Sequence, residues 1–137
     1  MPHIIVEYSA NLEGQLNIAV LLEKIHRSVL ESGVFKLGAV RTRGERRDSY
    51  VIADGDPSNA FIHVELKIAP GRDAVTRRSI AQAVLDTIAA ETKEVFAHSG
   101  LGISVDVNEI DRTASLRLNN LHERLSAKGP PPKRAAS

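Results

Sequence analysis

The 137-residue sequence contains no cysteine and no tryptophan, and aromatic residues make up only 4% of it. The lack of cysteine excludes disulfides, a thiol nucleophile and thiolate metal ligands. The net charge of +1 gives no surface of a single sign for nucleic acid or an anionic membrane. No apolar run is long enough to span a bilayer, and the start lacks the pattern of a signal peptide. We therefore expect a cytoplasmic protein that binds neither nucleic acid nor membrane.

What is present is typical of one globular domain, because 42% of the residues are hydrophobic and 26% are charged. The length is sufficient for one hydrophobic core but not for two independent ones. We assign this domain to residues 1–125. The remaining residues, 126–137, are rich in proline and basic residues and lack apolar anchors, so we predict a disordered tail there.

The domain reads as two similar halves, 2–58 and 59–125, each a strand, a helix and a strand. In the first half we predict strands at 2–8 and 35–43, and a short strand at 50–53. The helix between the first two has one apolar face and ends at Gly33. That face consists of Ile18, Leu21, Leu22, Ile25 and Val29.

In the second half, residues 60–68 alternate between apolar and polar, which predicts a strand with one buried face. Asp73 is placed to cap a long helix, and Gly100 and Gly102 to end it. Residues 103–110 form the last predicted strand. The buried stripe of the helix comprises Ile80, Val84, Leu85, Ile88, Ala89, Val95 and Phe96.

A strand–helix–strand unit joins parallel strands by a right-handed crossover. Two such units predict an α/β (α+β) fold in which a four-stranded sheet carries both helices on one face. The other face is too apolar to be a fully solvated surface, so we predict a symmetric homo-oligomer with its sheets facing inward. That face carries His3, Ile5, Glu7, Phe61, His63 and Glu65.

The sequence has no motif that predicts a metal site or a cofactor. Its five histidines do not have metal-ligand spacing, and no phosphate loop, dinucleotide fingerprint or nucleophile elbow occurs. We therefore expect no bound cofactor and no metal ion.

Pro2 is the first candidate catalytic residue. Removal of a methionine before proline leaves a free secondary amine, and an α-amine has a pKa of about 7.7–8.0. Such an amine can serve as a proton-transfer base near neutral pH. Many chains begin with Met-Pro for no catalytic reason, so these two residues alone do not identify an active site.

Three arginines are the second set of candidates. Arg41 and Arg43 share a face at the end of the predicted second strand, and Arg72 follows the third strand. An arginine guanidinium binds carboxylates with two parallel hydrogen bonds. Taken alone, each arginine is more simply a surface salt-bridge residue, but the ends of strands are where open α/β sheets bind ligands.

An ordered set of strings makes the chain similar to one known family. It begins with Pro2-His3-Ile4-Ile5-Val6-Glu7, and it continues with Gly33-Val34-Phe35, Val40-Arg41-Thr42-Arg43, Ala53-Asp54-Gly55, Phe61-Ile62-His63, Leu66-Lys67-Ile68, Gly71-Arg72 and Asn119-Asn120-Leu121-His122. In order and spacing this set resembles the 5-carboxymethyl-2-hydroxymuconate isomerase family of the tautomerase superfamily. The resemblance runs from Pro2 to about Leu125.

The resemblance implies a homotrimer of two β-α-β units per subunit. It also implies a cofactor-independent isomerase that acts on a small anionic polycarboxylate in aromatic catabolism. By the same resemblance Pro2 is the catalytic base, and Arg41 and Arg72 are catalytic and substrate-binding residues. Arg43 is the alternative match to Arg41 within the Val-Arg-Thr-Arg string.

Two features depart from the family pattern: an arginine-rich segment at 44–49 and the tail after Leu125. These departures affect which substrate the resemblance implies more than which type of reaction it implies. Two other functions therefore stay open at this point. One is a general keto–enol tautomerase of 2-oxo acids, and the other is a non-catalytic trimeric ligand-binding protein of the same fold.

Overall fold

The computed structural model describes residues 1–128 and shows one four-stranded sheet with four helices. The strands are β1 (His3–Ser9), β2 (Arg41–Arg47), β3 (Ala60–Ile68) and β4 (Leu101–Glu109). They form the predicted four-stranded sheet, in the order β2-β1-β3-β4. The helices are α1 (Ile18–Glu31), α2 (Ala74–Glu91), α3 (Lys93–His98) and α4 (Leu121–Lys128).

The strand pairing determines which chain segments meet at the site. β1 and β2 are parallel, and so are β3 and β4, which confirms the predicted direction of each pair. The two pairs meet through an antiparallel contact between β1 and β3, with His3 opposite Lys67. The N-terminal ends of β1 and β2 therefore lie at the same end of the sheet as the C-terminal ends of β3 and β4.

The core lies between the sheet and the two long helices. Ile62, Val64, Leu66 and Ile68 are fully buried, which confirms the alternation predicted for β3. The apolar faces of α1 and α2 join the same core cluster, so both helices cover one face of the sheet. Their buried residues are Leu21, Ile25, Val29, Ile80, Val84 and Ile88.

Local signals explain where these helices begin and end. The Asp73 carboxylate accepts a hydrogen bond from the Thr76 amide at 2.8 Å, which confirms the predicted cap of α2. Gly33 follows α1 with φ +72°, a conformation that favours glycine. On the opposite face of the sheet, His3, Ile5 and Glu7 remain half-buried.

The second strand is present, but its predicted bounds, 35–43, are wrong. Residues Leu37–Ala39 form a 3₁₀ turn and the strand runs from Arg41 to Arg47. β2 is an edge strand, which pairs with a neighbouring strand along one side only, and edge strands tolerate charged residues. Arg46 pairs with Glu13 at 2.6 Å and Arg47 pairs with Glu7 at 2.6 Å. Much of the arginine-rich segment is thus strand, not loop.

Smaller differences concern element ends. Residues 50–53 form no strand, and Gly102 lies inside β4. The long helix is divided into α2 and α3 near Thr92. Ala89 is exposed and Phe96 is 64% exposed, so the prediction that both are buried is wrong. The last helix continues to Lys128, three residues into the predicted tail. The rest of that tail lies outside the described residues. Within residues 1–128, no helix is both long and apolar enough to cross a membrane.

Candidate active site

A cleft of about 890 Å³ opens at the end of the sheet where β1 and β2 begin and β3 and β4 end. Pro2 is buried there, immediately before β1. The cleft is lined by Met1, Pro2, Val34, Phe35, Lys36, Ala39, Ala69, Pro70, Gly71, Arg72, Arg112, Arg117, Leu118, Asn119 and His122.

Pro2 is attached to the neighbouring strand through its backbone. Its carbonyl accepts a hydrogen bond from the Arg41 amide at 3.1 Å, which extends the pairing of β1 with β2 by one residue. Met1 precedes Pro2 in this chain, so the Pro2 nitrogen is an amide and the terminal amine belongs to Met1. The amine moves to Pro2 only when Met1 is removed.

The surroundings of the cleft favour a neutral terminal amine. Partial burial lowers the pKa of the Met1 amine below the ordinary value of 8.0, and nearby positive charges lower this pKa further. In order of decreasing effect these charges belong to Arg117, Arg72, Arg41 and Arg112. The same guanidinium groups would act on an amine one residue further along the chain.

Arg72, a candidate site residue from the sequence, lines the cleft, and two contacts hold it there. Its guanidinium carbon lies 4.6 Å from the centre of the Phe35 ring, a cation–π contact. Its Nη1 donates to the Ala69 carbonyl at 3.3 Å. Gly71 precedes it with φ +119°, a conformation that L-residues rarely adopt, and so turns the chain between β3 and α2.

Arg41 and Arg43 stand at the start of β2, not at the end of a strand as predicted. Arg41 is next to Pro2 through its backbone, while its Nη1 donates to the carbonyls of Ala39 at 2.8 Å and Gly38 at 3.3 Å. The Nη1 of Arg43 lies 3.1 Å from Nδ1 of His3. Neither arginine is among the lining residues, so the structure brings Arg72 to the cleft and places Arg41 at its margin.

Sequence reasoning missed two further arginines of the cleft. Arg112 and Arg117 come from the segment 110–120, which follows β4. The predicted parallel pairing of β3 and β4 was a signal that could have found them. Parallel strands end at the same end of the sheet, so the segment after β4 was expected near Arg72. Phe35, Lys36 and His122 were also missed as cleft residues.

Helix α4 closes one side of the cleft by packing on the 3₁₀ turn Leu37–Ala39. A Cβ at Gly38 would lie 2.9 Å from Nδ1 of His122 and 3.2 Å from Cδ1 of Leu125. The glycine therefore allows a close approach of the two segments. This contact places His122 at the cleft.

The fold belongs to a known class, the tautomerase fold. A structure described as a fused 4-OT wild-type symmetric trimer superposes with a TM-score of 0.63, over 81% of this chain and 87% of that one. Its 17% identity supports a shared fold only. A member of the cis-3-chloroacrylic acid dehalogenase family superposes with a TM-score of 0.60 at 18% identity, covering 93% of this chain and 92% of its own.

The particular family follows from more specific matches. The family model of 5-carboxymethyl-2-hydroxymuconate isomerase matches residues 2–125, so the chain belongs to this family. The Escherichia coli 5-carboxymethyl-2-hydroxymuconate Delta-isomerase is 29% identical over 122 residues, which cover 89% of this chain and 97% of the relative. A 5-carboxymethyl-2-hydroxymuconate isomerase from Deinococcus radiodurans R1 superposes with a TM-score of 0.84 at 31% identity, covering 90% and 92% of the two chains. These matches confirm the resemblance stated from the sequence.

Proposed function

We propose that this protein is a cofactor-independent isomerase that shifts a proton and double bonds in 5-carboxymethyl-2-hydroxymuconate or a similar polycarboxylate dienol. Such a reaction belongs to the catabolism of aromatic acids. Family membership supports the reaction class. The observation that carries the proposal is the position of Pro2, buried at a cleft whose described charged lining residues are all cationic or histidine.

Pro2 is the proton carrier in this proposal. Once Met1 is removed, its neutral secondary amine takes the proton from the hydroxyl oxygen of the dienol. The electron pair forms the carbonyl, the double bonds shift by one position, and the prolinium returns the proton to the distal carbon. The protons and electrons balance within the substrate, so one group that accepts and returns a proton is sufficient.

The arginines have two roles in the reaction. Arg72 holds a carboxylate of the substrate, since its guanidinium lines the cleft with Phe35 behind it. Arg41 lies at the margin of the cleft, where its charge acts on the terminal amine, and it stabilises the negative charge that develops on oxygen. Arg43 is the alternative residue for substrate binding on the same strand, although its guanidinium contacts His3.

The proposal extends to assembly and location. The half-buried mixed face of the sheet and a superposed structure described as a symmetric trimer support a homotrimer. The absence of a membrane-crossing helix within residues 1–128 is compatible with a cytoplasmic enzyme. Two competitors are a keto–enol tautomerase of 2-oxo acids, which would also convert monoacids, and a non-catalytic protein that keeps Met1.

The test is a comparison of the processed protein with Pro2→Ala and with a variant carrying one residue inserted between Met1 and Pro2. Intact mass establishes which amine is free. We expect turnover of 5-carboxymethyl-2-hydroxymuconate to fall about ten- to a thousandfold in Pro2→Ala, because the alanine amine keeps part of the basicity. The inserted variant should be inactive, since its proline nitrogen is an amide.

The matched control is Pro57→Ala, an exposed proline that does not line the cleft. It should keep wild-type turnover. Undiminished turnover in Pro2→Ala or in the inserted variant would refute the role of Pro2.

A further inference from the structure

Arg112 and Arg117 add positive charge to the cleft that Arg72 lines, and they come from another part of the chain. Arg72 comes from the loop after β3, and the two others come from the segment 110–120 after β4. Lys36 adds a further cation, and none of the lining residues is an aspartate or a glutamate. An uncompensated group of cations in a concave site favours a ligand with several negative charges.

The two guanidinium groups are not used in ion pairs of the protein. Within residues 1–128, neither Arg112 nor Arg117 lies within 4.0 Å of a carboxylate oxygen. By contrast, Arg46, Arg47 and Arg77 each pair with a carboxylate. The charges at the cleft are thus available to a ligand.

The segment 110–120 is held at both ends, so it carries its arginines to a defined place. At its start, the Ile110 amide donates to the Ile68 carbonyl at 2.8 Å. The Asp111 carboxylate then accepts from the Thr113 amide at 3.0 Å, at the 3₁₀ turn that contains Arg112. At its end, the Asn119 side chain accepts from the Leu121 amide at 3.1 Å, where α4 begins and packs on Leu37–Ala39.

We propose that Arg112 and Arg117 bind a carboxylate of the substrate other than the one held by Arg72, and so make the site selective for polycarboxylate dienols over monocarboxylates. This inference rests on the proposed function and specifies its substrate class. Arginine presents several N–H donors that match a carboxylate, and Arg112 and Arg117 both line the cleft that Arg72 lines. It also separates the two enzyme alternatives, because a general tautomerase of 2-oxo acids needs no receptor for a second carboxylate.

The experiment compares two substrates in the wild type and in Arg112→Gln, Arg117→Gln and the double variant. One substrate is the tricarboxylate 5-carboxymethyl-2-hydroxymuconate, and the other is the monocarboxylate 2-hydroxypenta-2,4-dienoate. For the tricarboxylate, each single change should lower kcat/KM about tenfold, mainly through KM, because a charged hydrogen bond to the substrate is lost. For the monocarboxylate, kcat/KM should stay within about threefold.

Two control variants distinguish the loss of a contact with the substrate from the loss of one positive charge. Arg78→Gln removes an equal charge from an exposed position of α2 outside the cleft and should leave both substrates unaffected. Arg117→Lys keeps the charge and should recover part of the loss for the tricarboxylate. An equal loss for both substrates in the double variant would overturn the inference, and so would no loss for either.

Failure of the proposed function gives a different result. If the wild type converts neither substrate, the isomerase assignment fails, and calorimetry with propane-1,2,3-tricarboxylate still tests the two arginines. Binding that weakens about tenfold in the double variant would support the receptor for a second carboxylate. Equal binding by the wild type and the double variant would refute it.

Discussion

Gly71 tests how the loop after β3 positions Arg72. Its φ of +119° lies in a region that an alanine adopts only with strain, and no described atom lies within 4 Å of the position of an added Cβ. The cost of Gly71→Ala is therefore conformational and not a steric clash, of order 1–3 kcal/mol. If the loop relaxes towards negative φ, Arg72 loses its contact with Phe35, worth about 0.5–2 kcal/mol.

We expect two measurable effects of Gly71→Ala. The free energy of unfolding, from urea denaturation at a fixed protein concentration, should fall by about 1–3 kcal/mol. The kcat/KM for the polycarboxylate substrate should fall about tenfold, since a carboxylate receptor displaced from the cleft costs about 1.4 kcal/mol or more.

Gly55 provides the matched control, because it also has positive φ, +87°, and open space around its Cβ position, but does not line the cleft. Gly55→Ala should lose stability to a similar extent and keep its kcat/KM. If Gly71→Ala behaves as the wild type in both assays, the strain argument is wrong. If Gly55→Ala loses as much kcat/KM as Gly71→Ala, the kinetic loss reflects stability and not the placement of Arg72.

Two further predictions concern pH and assembly. The proposed base is the Pro2 amine in its neutral form, so kcat/KM should rise with pH as this amine loses its proton. Burial and the cleft arginines lower the pKa of the Met1 amine. The same groups should lower the pKa of the Pro2 amine once Met1 is removed, so the rise should lie at lower pH than for an exposed terminal proline. Added salt screens the arginines, raises this pKa and should move the rising part of the profile to higher pH; a profile insensitive to salt would contradict the electrostatic part of the argument. Sedimentation equilibrium at micromolar concentration should show a trimer, and a stable folded monomer would refute the inward-facing sheet.

The elements that the sequence predicted well are those in which local pattern and tertiary burial agree. β3 alternates because one face packs on the core, and the apolar stripe of α1 coincides with its buried face. β2 was misplaced because the segment Arg41–Arg47 carries four arginines and no apolar alternation. As an edge strand it is held by β1 and by ion pairs, and strand propensity does not report those contacts.

Only the residues of the candidate site that lie next to the ends of predicted strands could be proposed from the sequence. Pro2 was a candidate because a terminal proline amine can carry a proton, and Arg72 was one because it follows a strand. The antiparallel contact between β1 and β3 then brings the start of one strand and the end of the other to the same end of the sheet. Arg112 and Arg117 enter the cleft because the segment 110–120 is tied to Ile68 at one end and to α4 at the other. Such long-range attachments leave no periodic signal in the segment itself.

The continuity of the chain at the start of β3 also limits how many terminal amines the two halves can present. The two halves repeat with Ile4 matching Ile62, so Ala60 corresponds to Pro2. At β3, however, the chain is continuous, and the Ala60 amide donates to the Gly100 carbonyl at 2.9 Å as an ordinary peptide. Two separate copies of the half would have two amino termini, whereas the fused chain has one. Under the proposed mechanism, the stoichiometry is one reactive amine per pair of halves, and the second half serves as scaffold and supplies cationic residues to the first.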